Sequence, residues 1–249
     1  MKIFKAFLVV VAAPFLFYHF SGIEIWAAES KACKHENYKM LSSLYQNPTE
    51  EMAGKVFEVL ACEGGFSKPT KVKPYVALIG GYMRTNPKLL EKLYAGVSNA
   101  KDMNAPKLFL DALWFCGTEP CRAKLRARPF NLPQKDVDAL LRETPPDPYT
   151  LAIDSPAALD LLWGYFTGSG ENKIPQRIFD FVRSNWNLYD STGSVTVEKL
   201  QLLRSARWSF VSMAAQHKKV RAVIDSLKNT SPEARALLTE VNKELSERH

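Results

Sequence analysis

The stretch Asp154-Ser155-Pro156-Ala157-Ala158-Leu159-Asp160-Leu161-Leu162-Trp163-Gly164-Tyr165-Phe166-Thr167-Gly168, continued to Asn185, decides the fold. Asp154 has the side chain of a helix N-cap and Pro156 fits a first turn, so a helix is expected from there. Leu159, Leu162, Trp163 and Phe166 recur at three- and four-residue steps and line one wide apolar side. The turn Gly168-Ser169-Gly170 stops that helix. Ile174, Ile178, Phe181 and Val182 carry a second amphipathic helix, and so short a connection makes the two antiparallel neighbours. A helical hairpin with one apolar side needs further layers to cover it.

Working outward, the same pattern recurs. A first helix is expected over about 34–46, with Tyr38, Leu41 and Tyr45 on one side. Asn47-Pro48-Thr49-Glu50 then reads as cap, first turn and capping box of a second helix, which carries Met52, Val56, Val59 and Leu60 and stops at Gly64-Gly65. A polar loop over 66–73 precedes a helix from Pro74, and the Gly80-Gly81 pair inside it implies close backbone packing or a kink. Further helices start at Asn86-Pro87, Pro106, Glu119, Gln134, Thr196, Lys218 and Ser231-Pro232. With no alternation of strand type, the chain reads as all-α, with roughly eleven or twelve helices. Leu110-Asp111-Ala112-Leu113-Trp114 echoes Leu159-Asp160-Leu161-Leu162-Trp163 from 49 residues upstream, and Trp208 lies 45 residues beyond Trp163. A period in the forties is that of helix-pair repeats. The expected arrangement is therefore helical hairpins stacked as a HEAT/armadillo-like α-solenoid, with an irregular helical bundle as the alternative. Thr144-Pro145-Pro146-Asp147-Pro148 is the one stiff, linker-like stretch. It divides the chain into an N-terminal helical subdomain over 29–143, a Pro-rich linker over 144–150 and a C-terminal helical subdomain over 151–249.

The first residues bear on compartment. Met1 to Lys5 is basic and Ala6 to Phe20 is an apolar run of the length of a signal-peptide core, too short for a comfortable span. Residues 1–28 read as a signal peptide cut after Ala27 or Ala28, with an uncleaved anchor as the alternative. All four cysteines, Cys33, Cys62, Cys116 and Cys121, follow that segment, an even number for an oxidising space. Antiparallel first and second helices would bring Cys33 to Cys62. Cys116 and Cys121 bracket Gly117-Thr118-Glu119-Pro120, where a bridge would staple a helix-to-helix turn and contribute about 2 kcal/mol. The localisation expected is periplasmic or secreted.

Two further segments accompany the central one: Trp208-Ser209-Phe210-Val211-Ser212 and Ala214-Ala215-Gln216-His217-Lys218-Lys219-Val220. Together with Leu159 to Gly168 they resemble a group of bacterial secreted or envelope proteins, over Asp154 to Leu227. Where the group has an Ala-Thr-Gly turn, this chain has Ser169-Gly170-Glu171 after Gly168. The resemblance implies an all-helical extracytoplasmic protein and no activity.

Signatures of catalysis are missing from the sequence. There is no Gly-x-Ser-x-Gly elbow, phosphate loop or dinucleotide fingerprint, and no cofactor is expected. Past the N-terminal segment the histidines are His35, His217 and His249. They do not make a zinc set, so no metal is expected, and His217 reads as a turn residue near a helix end. Asp111 and Asp160 each precede a tryptophan, Trp114 and Trp163, by three residues. Acidic groups beside aromatic platforms serve glycan-binding and glycan-cleaving clefts, so these four form a candidate ligand site. Arg122, Lys124, Arg126 and Arg128 are the densest positive run, a candidate contact for anionic lipid or glycan on a chain of net charge +7. Nucleic acid is not an expected partner. Of the three readings, an exported interaction or scaffold module for another envelope or extracellular protein comes first. An envelope glycan hydrolase and a basic protein on anionic lipid are the alternatives.

Overall fold

The computed structural model describes residues 35–62, 66, 69–127, 130, 133–189 and 195–247. Among these residues the chain forms twelve α-helices and no strand. They are α1 His35–Ser42, α2 Glu50–Cys62, α3 Pro69–Thr85, α4 Leu90–Asn99, α5 Ala105–Cys116, α6 Glu119–Arg126, α7 Gln134–Arg142, α8 Pro156–Ser169, α9 Lys173–Ser184, α10 Val197–Gln216, α11 Lys218–Leu227 and α12 Pro232–Glu247. Single 3-10 turns occupy Leu44–Gln46, Pro87–Leu89 and Trp186–Leu188. Residues 1–28, with their expected signal segment, lie outside the described residues.

The helix starts follow local chemistry, with small shifts from the sequence expectation. The N-cap of α8 is Ser155 rather than Asp154, because Ser155 has the extended backbone and its Oγ accepts the Ala158 N–H at 3.3 Å. Thr49, rather than Asn47, caps α2, accepting the Met52 N–H on Oγ1 at 3.2 Å. Thr196 and Ser231 do the same for α10 and α12. The third helix begins at Pro69, five residues before the expected start, and carries Pro74 inside it. On α9 the buried aromatic is Phe179, with Phe181 half-buried, and on α10 Val197 is exposed, seven residues before Arg204 and on the same side of the helix.

The hairpin of α8 and α9 forms, joined through Gly170 in the left-handed conformation. Yet the most extensive packing of α8 is on α3, across the Pro-rich stretch. Gly164 of α8 faces the Pro74 carbonyl and Gly168 faces that of Leu78, and at both places a Cβ would overlap the oxygen. These meeting points advance together along both helices, so α3 and α8 run in the same direction. From the other side, a Cβ on Gly81 would lie 2.8 Å from the Tyr165 carbonyl oxygen. Gly80 makes the equivalent approach to α5, where Ala112 and Phe115 leave no room for a side chain. The glycine pair thus marks close backbone packing, with α3 lying between α5 and α8, the two helices that carry the sequence echo.

One buried cluster runs from Leu41 to Val241, taking in Phe57, Tyr82, Phe109, Tyr165, Phe166, Phe179 and Phe210. Around the α3 centre, α2 packs on α4, and α9 to α12 form a C-terminal group in which α10 touches α8, α9, α11 and α12. In a regular solenoid each unit contacts its sequence neighbour. Here the dominant pair is separated by four helices, which is the pattern of the irregular bundle.

Candidate functional site

Trp163 is not a surface platform. Its ring is 4% exposed, packs against Phe166 and Phe210, and donates its Nε1–H to Ser209 Oγ at 3.0 Å. A ring so enclosed has no free face for a sugar. Trp114 is half-buried and donates to the Glu143 carbonyl at 3.1 Å, fixing the end of α7 against α5. Asp111 and Asp160 are both half-buried, and burial raises each carboxyl to about 6, with Lys107 pulling Asp111 slightly the other way. The structure therefore places the two acids in similar surroundings on helices flanking α3, but divides their tryptophans between core and boundary.

Two of the four cations of the positive run are paired. Lys124 Nζ sits 2.8 Å from Glu91 Oε2 and 4.0 Å over the Tyr94 ring, and Arg126 pairs with Glu119 at 2.8 Å. Arg122 is exposed, and Arg128 lies outside the described residues. The Cys116–Cys121 bridge is present, joining the end of α5 to the start of α6. Cys62 is also disulfide-bonded; Cys33, its expected partner, lies outside the described residues. Among the described residues there is no cluster of histidine, cysteine and carboxylate side chains fit for a metal ion.

His217 is more than a turn residue. It is 2% exposed at the joint of α10 and α11, and its Nδ1 shares a 3.3 Å hydrogen bond with Tyr45 Oη. Phe166 stands edge-on to its ring, and its Nε2 is buried with no hydrogen-bond partner among the described residues. Burial lowers its pKa to about 4, which keeps it neutral. Nearby, Tyr149 and Tyr165 both donate to Glu171, the second at 2.9 Å. This clamp ties the chain after the Pro-rich stretch to the α8–α9 turn, and Arg177 adds bonds to the Pro148 and Leu151 carbonyls.

A concave surface that gathers aromatic and charged side chains lies elsewhere, in the C-terminal group. Helix α10 buries Leu203, Ala206, Phe210 and Met213. Arg204, Arg207 and Trp208, at helical spacing, share a second side, with the buried Val211 at its base. That side, together with Tyr189 and Glu240 of α12, lines a groove of about 340 Å³. Trp208 is 39% exposed. Arg207 is held in place on all sides: its Nε donates to the two Glu240 oxygens at 3.1 and 3.3 Å, and its guanidinium lies 4.4 Å over Trp186 and 5.2 Å over Tyr189. Tyr189 is itself buried, its hydroxyl lacks a hydrogen-bond partner among the described residues, and desolvation raises its pKa. Arg204 is exposed, with no ion pair among the described residues. A second groove of about 350 Å³, lined by Lys228, Asn229, Arg235, Leu238, Thr239 and Asn242, carries no aromatic ring.

Sequence reasoning passed over Arg204, Arg207, Tyr189 and Glu240. A signal was there in the steps of three and four that join Arg204, Arg207, Trp208 and Val211, opposite the apolar stripe. Nothing in the sequence, however, brings Glu240 and Tyr189 to them. The chain matches no protein-family model, no curated protein and no solved structure.

Proposed function

We propose that this is an exported, non-catalytic binding protein, and that it holds a partner protein in the groove between α10 and α12. The observation that carries the reading is Trp208, a large ring left 39% exposed beside arginines and a tyrosine in a groove. Tryptophan, tyrosine and arginine are the residues that dominate binding energy at protein interfaces, and they do so when they sit in a preformed depression. Arg207 is preformed in this sense, since its ion pair and its two aromatic neighbours fix it without a ligand. Export is supported by the basic and apolar start of the chain, by the bonded state of Cys62, Cys116 and Cys121, and by the resemblance of the segments around Trp163 and Trp208 to bacterial envelope and secreted proteins.

The test uses the purified protein as bait on the extracytoplasmic fraction of its host. Trp208→Ala is the groove variant, and Met103→Ala, at a side chain 95% exposed and outside the groove, is the control. A partner retained by the wild type and by Met103→Ala but lost with Trp208→Ala is the expected result. An identical retained set for all three proteins would remove the groove from the function.

A further inference from the structure

Resting on the reading of the groove as a protein-binding surface, we infer that its partner is an acidic segment. One carboxylate of that segment meets Arg204, and a large apolar side chain beside it packs on Trp208. The charges argue for this. Of the groove's three charged side chains, Arg207 and Glu240 are joined to each other by three hydrogen bonds. Their charges are mutually satisfied. Arg204 alone is left with a guanidinium that no carboxylate among the described residues meets, so the groove carries one uncompensated positive charge. A guanidinium presents a fork that matches a carboxylate. The overall charge of +7 favours encounter with an acidic chain.

The spacing argues for the second part. Arg204 and Trp208 stand one helical turn apart, about 5–6 Å between Cβ atoms. Side chains two apart on an extended segment, or three to four apart on a helical one, lie at a similar distance. A groove of about 340 Å³ is at the small end for a ligand site, which suits one large side chain and an adjoining carboxylate. A sugar would stack on Trp208 but would find its hydroxyls poorly matched, because both oxygens of Glu240, the groove's carboxylate, already accept from Arg207. Nucleic acid would need several free cations to track its phosphates, and the groove offers one.

The experiment measures binding of the intact protein to immobilised polymers. The probes are a random copolymer of glutamate and tyrosine, polyglutamate, and polygalacturonate as the acidic glycan. The copolymer is expected to bind at least about tenfold more tightly than polyglutamate, and Arg204→Glu and Trp208→Ala are each expected to weaken it by about tenfold or more. Arg204→Glu should melt as the wild type does, since Arg204 is exposed, and Trp208→Ala, which gives up the covered part of a large ring, should melt lower but still in one cooperative transition. Equal binding of polyglutamate and the copolymer, or copolymer binding that ignores both substitutions, would overturn the inference. Polygalacturonate displacing the copolymer would overturn it in favour of a glycan. Should the bait lose its natural partner on Trp208→Ala while the copolymer does not bind, the groove reading stands and the acidic class falls. Copolymer binding that needs Trp208, with no natural partner lost, strikes at the function instead.

Discussion

Asp160 and His217 are titratable groups whose burial works in opposite directions. The Asp160 carboxyl has no ion pair or hydrogen bond among the described residues, and its value rises from 3.8 to about 6. The folded chain therefore holds this proton more tightly than the unfolded chain does. Its contribution to stability is full below pH 3.8 and is lost as pH rises through 6. A two-unit shift corresponds to roughly 2–3 kcal/mol. Replacing Asp160 by Asn keeps the shape and removes the charge, so urea unfolding at pH 7 should show a gain of about 1–2 kcal/mol that shrinks towards zero at pH 4. Asp111→Asn should show a similar gain, since its carboxyl is raised to the same value, about 6, with the pull of Lys107 included. His217 is lowered from 6.5 to about 4, so its contribution is present above pH 6.5 and is lost as pH falls through 4. A double Asp111→Asn, Asp160→Asn variant should therefore lose stability between pH 6.5 and 4. Adding His217→Phe, which keeps a ring against Phe166, should flatten that loss. A flat profile in the double variant would show that His217 takes up its proton without unfolding anything.

The seam between α3 and α8 is the element on which the packing turns, and it depends on what its glycines lack. A methyl group at Gly168 would overlap the Leu78 carbonyl, part of a helix backbone that cannot rotate aside. Gly168→Ala should therefore part the two helices, and chemical denaturation should show a loss of about 2–3 kcal/mol or more. Gly54 is the counter-example, also inside a helix but with nothing within 4 Å of the place a Cβ would take. There alanine removes backbone freedom from the unfolded chain, and Gly54→Ala should raise stability by about 0.5–1 kcal/mol. If both alanines gave the same sign, close approach would not be what these glycines supply. The echo of α5 in α8 acquires a physical meaning at this scale. Both helices lie against the Gly80-Gly81 region of α3, so both need small or flat residues where they meet it.

For the whole molecule, the joining of the two halves through α3 and α8 has a measurable consequence. Residues 29–149 produced alone would expose the side of α3 that α8 covers, and they should show no cooperative thermal transition, whereas the full chain should melt in one. Opening the Cys116–Cys121 bridge with a Cys116→Ser, Cys121→Ser pair should lower stability by about 2 kcal/mol, since the closed loop is short. The helical class, most helix starts to within a few residues, the staple at Cys116 and Cys121, and the close packing of Gly80-Gly81 could all be read from the chain, because each follows from spacing and chemistry within a few turns. Trp163, Trp114 and Trp208 look alike in sequence, and yet one is core, one closes a helix end and one lines a groove. A tryptophan's exposure is set by which helix arrives opposite it. The same holds for Asp160, whose missing partner is a property of its surroundings and not of its neighbours in the chain. By itself, then, the sequence determined the all-α class, the helical segments and their turns, since these rest on local backbone preference and periodic burial. Only the tertiary structure decided that α8 lies along α3, and that Tyr189, Arg204, Arg207, Trp208 and Glu240 share a groove, because contacts between distant helices depend on the summed packing of the whole core.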